Sequence, residues 1–195
     1  MTYDGELIAR GIELRRHDTP NFIKEFQTEV HTLFECKNSD EVISKGYEQA
    51  LLLVTRTTDR IMTADIQLQD LVVSKLLGQG LDKYKSLFPH VSAAIQLSNA
   101  GKSPLAGEGV EYIHTNARHT NPLCRVQPRE LIRQGEVMDY DKEKYREMLL
   151  EAAETVLGFF GFDRSIYGDT AKKKNRKWWR TLREYRSTDI ENETL

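Results

Sequence analysis

At 195 residues and 22.5 kDa, with 39% apolar and 30% charged residues and a mean hydropathy of -0.57, the chain is too apolar for a disordered tail and has the size of one domain with a short appendage. No apolar run approaches the roughly 20 residues that span a bilayer, and the start MTYDGEL lacks the basic and apolar regions of a signal peptide, so a cytoplasmic protein with no membrane partner is expected. Two cysteines, Cys36 and Cys124, are too few for a disulfide framework and suit a reducing compartment. The net charge of -2 hides an asymmetry: residues 172–186 (KKKNRKWWRTLREYR) carry eight basic residues and one acid, a local +7 that leaves -9 for the other 180. Nucleic acids and acidic surfaces respond to such patches, not to totals.

In chain order, residues 6–15 alternate apolar and polar at Leu7, Ala9, Ile12 and Leu14 and predict a strand or hairpin edge. Thr19 as cap and Pro20 at the first helical position start a helix whose apolar face is Phe22, Ile23, Phe26, Val30, Leu33 and Phe34. Asn38 and Glu41 form a capping-box-like start for a second helix with the stripe Ile43, Tyr47, Ala50, Leu51, Val54 and Ile61. The short joint between the two predicts an antiparallel pair. Residues 68–90 predict an extended segment at Val72 and Val73, then an irregular stretch with Gly78, Gly80 and Pro89. A short helix over 90–100 should end at Gly101, a strand should follow at Val110, Tyr112 and His114, and residues 116–137 should be loop. Tyr145, Met148, Leu149, Ala152, Ala153, Val156, Leu157 and Phe160 then line a long amphipathic helix stopped by Gly161.

Several motifs fail on inspection. Gly101-Lys102-Ser103 ends like a phosphate-binding P-loop, but position 96 is Gln where the loop needs glycine, and Pro104 would break the following helix. His114, His119 and Cys124 are spaced five apart, which suits neither one helix face nor a zinc pair, and they read as loop residues. Tyr167-Gly168-Asp169-Thr170 offers a single carboxylate, since Ala171 follows, and reads as a turn. Glu143, Glu147, Glu151 and Glu154 read as a solvated helix face, with Lys144 and Arg146 spaced to pair with some of them. No acid/base constellation or nucleophile triad is present, so no catalytic residue and no metal or cofactor bound by this chain is expected.

Three blocks in sequence have a familiar order. They are GELIARGIELRRHDTPNFIKEFQ (5–27), LVVSKLLGQGLDKYKSLFPHVSAAIQLSNAGKSPLAGEGVEYI (71–113) and YDKEKYREMLLEAAETVLGFFGF (140–162). Together they resemble the C-terminal part, the thumb, of family B DNA polymerases: a strand, a basic pair and Asp before the first helix; S-K-x-L, Tyr, P-H-V and G-x-x-V-x-Y-I; and a last long helix that opens at Y-D. The resemblance implies an α+β, mostly helical module with a small β element, residues 1–162 forming a thumb-like, duplex-gripping domain and 163–195 a basic aromatic extension. The family's metal-binding aspartates and nucleotide-binding lysine lie N-terminal to the thumb. The resemblance therefore implies, as the simplest explanation, the small subunit of a split archaeal enzyme, inactive alone, with Mg²⁺ and the nucleotidyl transfer of DNA replication belonging to a catalytic large subunit; a piece of a single-chain polymerase would carry the same blocks.

A thumb grips primer-template duplex along its phosphates, which calls for spaced donors and cations without base readout. On that footing the DNA-binding candidates are Arg16, His17, Ser74, Lys75, Tyr84 and His90, with Arg15 and Lys83 as weaker ones. The family more often carries Arg or Lys where His17 stands, which implies a contact that is weaker or pH-dependent. Without the resemblance, Arg15 and Arg16 read as a solvated strand end and His90 as a helix cap. Trp178, Trp179, Leu182 and Tyr185 would form an aromatic stripe beside the basic residues if 172–186 is helical, a partner-docking pattern. Single-chain relatives often end in a sliding-clamp box with Gln, a leucine and two aromatics; here the Gln is missing and the aromatics precede Leu182, so a clamp is the weaker partner reading. A free-standing nucleic-acid-binding helical protein that uses its basic C-terminus, and a scaffold with no nucleic-acid role, are the other classes.

Overall fold

The apolar spacing behind Thr19-Pro20 yields the first helix of the computed structural model, α1 (Asn21–Phe34), which buries Phe22, Ile23, Phe26 and Val30. It begins one residue later than the Thr-Pro start predicts, because the Pro20 carbonyl accepts the first bonds from Ile23 and Lys24 at 3.1 and 3.3 Å. The structure describes residues 16–34, 40–133 and 139–166. The strand expected over 6–15, Arg15, Asn38 of the capping box, residues 167–170 and the stripe Trp178, Trp179, Leu182 and Tyr185 lie outside them. The chain divides into two compact units, Met1–Phe162 and Asp163–Leu195; of the second, the described part is one 3-10 turn, Arg164–Ile166.

Helix α2 (Asp40–Thr63) buries Tyr47, Ala50, Leu51, Val54, Thr57 and Ile61 against α1 and a second partner, α4 (Lys142–Leu157). At Gly46 a Cβ would lie 3.0 Å from the Leu33 carbonyl oxygen, so glycine permits the close approach of α2 to the end of α1. The α2 helix ends in a Schellman arrangement, Asp65 N–H to Arg60 O at 2.8 Å and Ala64 N–H to Ile61 O at 3.3 Å, which places Ala64 in the left-handed region at φ 61°. Helix α4 is capped by Asp141, whose Oδ1 accepts from Lys144 N–H at 2.9 Å while its Oδ2 accepts from Ala117 N–H at 2.6 Å. Its buried residues include Leu150, which the predicted stripe omits, and it gives way to a 3-10 turn (Gly158–Phe160) before Gly161 at φ 89°.

A three-stranded antiparallel sheet, in the order β1 (Val73–Leu76), β2 (Gly109–His114), β3 (Val126–Pro128), forms the second layer. Helix α3 (Pro89–Asn99) covers it, and its Ala93, Ala94 and Leu97 join Val73, Leu77, Val110, Tyr112 and Val126 in one core. Pro89 opens α3 and Gly101, at φ 80°, closes it, with Lys102 N–H donating to Leu97 O at 2.9 Å. The region expected as loop over 116–137 contains β3 and two 3-10 turns. A three-residue edge strand ending in Pro128 shows too little alternation to be read from sequence. His114 is correspondingly a buried strand residue and not a loop residue, whereas His119 is half-buried and Cys124 exposed.

Tyr145 joins the two layers. Its hydroxyl donates to Leu71 O at 2.8 Å and accepts from His114 N–H at 3.0 Å, with the whole side chain buried. Phe22, Tyr140 and His114 each meet its ring edge-on. Tyr140 adds a bond from its hydroxyl to Ile61 O at 2.7 Å. Among the described residues, no helix is long and apolar enough to cross a membrane.

Tyr145→Phe keeps the ring but strands a buried carbonyl and a buried N–H, so it should cost about 2–4 kcal/mol, read as a lower denaturant midpoint at unchanged m. Ala64→Gly should stabilise by about 0.5–1 kcal/mol by relieving the left-handed alanine. His114, with Nδ1 lacking a hydrogen-bond partner, is pushed down to about 4, chiefly by burial and further by Lys144, against the opposing pull of Asp141. The unfolded chain therefore binds the extra proton between about pH 6.5 and 4: the contribution of His114 is full above that window and lost on descending through it, at most about 3 kcal/mol. A stability-pH curve that falls less through this window in His114→Asn than in the natural chain is the expected result, the remaining fall including that of His90, whose pKa burial also lowers.

Candidate nucleic-acid interface

Two segments distant in sequence supply the basic cluster. Arg16 leads into the turn at His17 and Asp18 ahead of α1, and its Nε and Nη2 donate to the two Asp18 carboxylate oxygens at 2.9 and 3.0 Å. From β1, Lys75 Nζ reaches the same carboxylate at 3.5 Å, across 57 positions of sequence. The Arg16 hydrogen bonds hold the Asp18 carboxyl below the usual carboxylate range, against the desolvation that would raise it, and Lys75 adds to the effect. Beneath them, burial pushes the Tyr112 phenol of β2 up to about 12, with a smaller contribution from the Asp18 charge. Arg16 and Lys75 remain largely exposed, so this carboxylate organises two cations that still face solvent.

The start of α3 borders this cluster. His90 is 8% exposed, edge-on to Tyr84 at 5.8 Å and stacked with Phe88 at 6.0 Å. Burial lowers its pKa, and the Lys75 ammonium lowers it further, which keeps the imidazole neutral at pH 7. Its position in the first turn of α3 agrees with the sequence, but the ring packs among aromatics instead of standing open. The Tyr84 hydroxyl accepts from Gly78 N–H at 2.9 Å, so it pins the loop after β1; accepting that bond does not use its own O–H.

The remaining sequence candidates are spread around the cluster. His17 is exposed beside Arg16, and Lys83 is exposed in the 3-10 turn Leu81–Lys83. Ser74 does not join Lys75: successive strand residues face opposite sides, and Ser74 pairs across the sheet with Glu111 while Lys75 pairs with Val110. Sequence reasoning missed Asp18 as a member of the site, although an acid two residues beyond Arg16 in a turn was the available signal. It also missed Tyr112 and Phe88, whose roles depend on α3 and β1 closing together. Two largely exposed cations on one carboxylate, over a buried Tyr112 phenol and beside an aromatic-packed His90, suit contact with a polyanionic backbone. Among the described residues, no group of three or more His, Cys, Asp and Glu is placed to hold a metal ion.

The sequence pattern of DNA polymerase family B matches residues 1–159. DNA polymerase 1 of Saccharolobus solfataricus is 28% identical over 159 residues, which is 81% of this chain and 17% of that protein. The DNA polymerase of Archaeoglobus fulgidus is 35% identical over 103 residues, 52% of this chain and 12% of that one. Among solved structures, the family B DNA polymerase from the hyperthermophilic archaeon Pyrobaculum calidifontis matches with a TM-score of 0.63 at 25% identity, covering 75% of this chain and 18% of that chain. The chain thus spans less than a fifth of the length of these relatives.

Proposed function

The chain belongs to DNA polymerase family B, and from that premise we propose that residues 1–162 are a polymerase thumb that grips primer-template duplex, acting as the small subunit beside a catalytic large subunit. The observation that carries this reading is the meeting of Arg16 and Lys75 on Asp18, because it sets two exposed cations side by side without any built base-reading pocket. Cations so placed neutralise adjacent phosphates and release counterions, which binds duplex irrespective of sequence. His17, Lys83 and the Tyr84 hydroxyl extend the donor surface, Arg15 adds a neighbouring cation, and the first turn of α3 at His90 adds backbone N–H groups. Ser74, on the other face of β1, lies outside this donor surface.

In this reading the nucleotidyl transfer, and the carboxylates that hold Mg²⁺, reside in the large subunit. The described residues of this chain offer no ligand group of that kind, and no chemical step is assigned to them. The chain's own contribution is to prolong residence on the duplex and so raise processivity. The +7 of residues 172–186 with Trp178, Trp179, Leu182 and Tyr185 supports docking on the large subunit or DNA, a sliding clamp being the weaker partner. The same charge favours one other reading, a free-standing nucleic-acid binder that works through its C-terminus; that version requires tight binding by the chain alone, lost when 172–186 is deleted.

The test pairs co-purification of the tagged chain from its own cells with duplex binding across a salt series. A co-eluting subunit bearing the polymerase carboxylate motifs, with processivity raised when this chain is added back, is expected. In that complex Arg16→Ala with Lys75→Ala should weaken binding equally for unrelated duplex sequences and reduce the slope of log K against log salt by about 2, near one for each phosphate that the two cations neutralise. An unchanged slope removes the two residues from the interface.

A further inference from the structure

Within the basic cluster, Asp18 is the residue a phosphate-binding surface would be expected to avoid, since its charge repels the ligand. It nonetheless occupies the centre, taking both hydrogen bonds of the Arg16 fork at 2.9 and 3.0 Å and the Lys75 ammonium at 3.5 Å. We propose that Asp18 is a positioning residue of the duplex-binding surface, holding Arg16 and Lys75 side by side so that both cations meet the phosphate backbone together. The inference rests on the duplex grip proposed above and assigns a role within it that the cations alone do not explain.

Two observations carry it. The carboxylate ties the turn before α1 to strand β1, so it fixes the spacing of two cations that the backbone leaves on separate segments. It is also set deeper than what it holds: its side chain is 24% exposed, against 60% for Arg16 and 49% for Lys75, so the anchor lies inward and the cations outward. Ion pairs this exposed add little to folding stability, so stabilisation alone is a weak reason for the arrangement. Arginine and lysine are costly to order, and holding them in advance removes that cost from binding. Two cations on one carboxylate leave the triad with a net positive charge, so the surface still attracts a polyanion.

The experiment measures duplex binding across a salt series for the full chain with its co-purified partner, comparing the natural protein with Asp18→Asn, Asp18→Glu and Lys75→Ala. If Asp18 acted only as a nearby charge, its neutralisation would tighten binding. Positioning instead requires Asp18→Asn to weaken binding by about fivefold, the order of the cost of immobilising long side chains, with a shallower salt slope. Lys75→Ala should then cost less in the Asp18→Asn background than in the natural chain, and Asp18→Glu should keep most of the affinity. Thermal melting of Asp18→Asn close to that of the natural chain separates this loss from unfolding. Tighter or unchanged binding by Asp18→Asn, with the Arg16→Ala and Lys75→Ala pair still impaired, overturns the positioning role and leaves the grip standing. No effect from that pair removes the grip and the positioning role together.

Discussion

The described part of residues 1–162 turns on one buried phenol. Tyr145 sits where the helical layer of α1, α2 and α4 meets the sheet, and its hydroxyl satisfies the Leu71 carbonyl just before β1 and the His114 amide at the end of β2. Both groups are shut away from water, where an unmade hydrogen bond costs more than a made one gains. Burial, the largest influence, raises the Tyr145 pKa, so the hydroxyl stays protonated and can donate and accept at once. The Tyr145 side chain therefore fixes where β1 starts relative to the helices, and with it where Lys75 lies.

The basic cluster follows from that placement. Phe22 of α1 packs on the Tyr145 ring, which seats the start of α1 and the turn ahead of it near the sheet. The same turn carries Arg16 and Asp18, and β1 carries Lys75 four residues beyond Leu71. A packing contact thus becomes an electrostatic one: the apolar junction decides that cations from two segments share a carboxylate. His90 and Tyr84 belong to the supporting layer, where an aromatic-packed imidazole and a hydroxyl bonded to the loop after β1 pack beside Lys75.

Family membership and geometry answer different questions here. The match over residues 1–159 identifies the lineage, while the chain spans 17% of the Saccharolobus solfataricus protein and its described residues gather no metal-ligand group. The proposed pairing gives the exposed cations on Asp18 the holding of a charged rod and leaves bond-making to the catalytic subunit. This division of labour is what the proposed pairing with a catalytic subunit expresses.

The sequence by itself determined what depends on neighbours a few positions away. The stripes of α1, α2 and α4, the Pro89 start and Gly101 end of α3, and the alternation of Val110, Tyr112 and His114 in β2 are legible because helix and strand periods repeat an apolar residue locally. Motif order also pointed to the family and to Arg16 and Lys75 as separate candidates. Only the tertiary structure decided that these two share Asp18, that Ser74 faces away from Lys75, that His90 packs inward, and that β3 exists as a three-residue edge. Those outcomes rest on contacts between residues far apart in sequence, set by the Tyr145 junction and by the closing of α3 on the sheet, and no local period records such contacts.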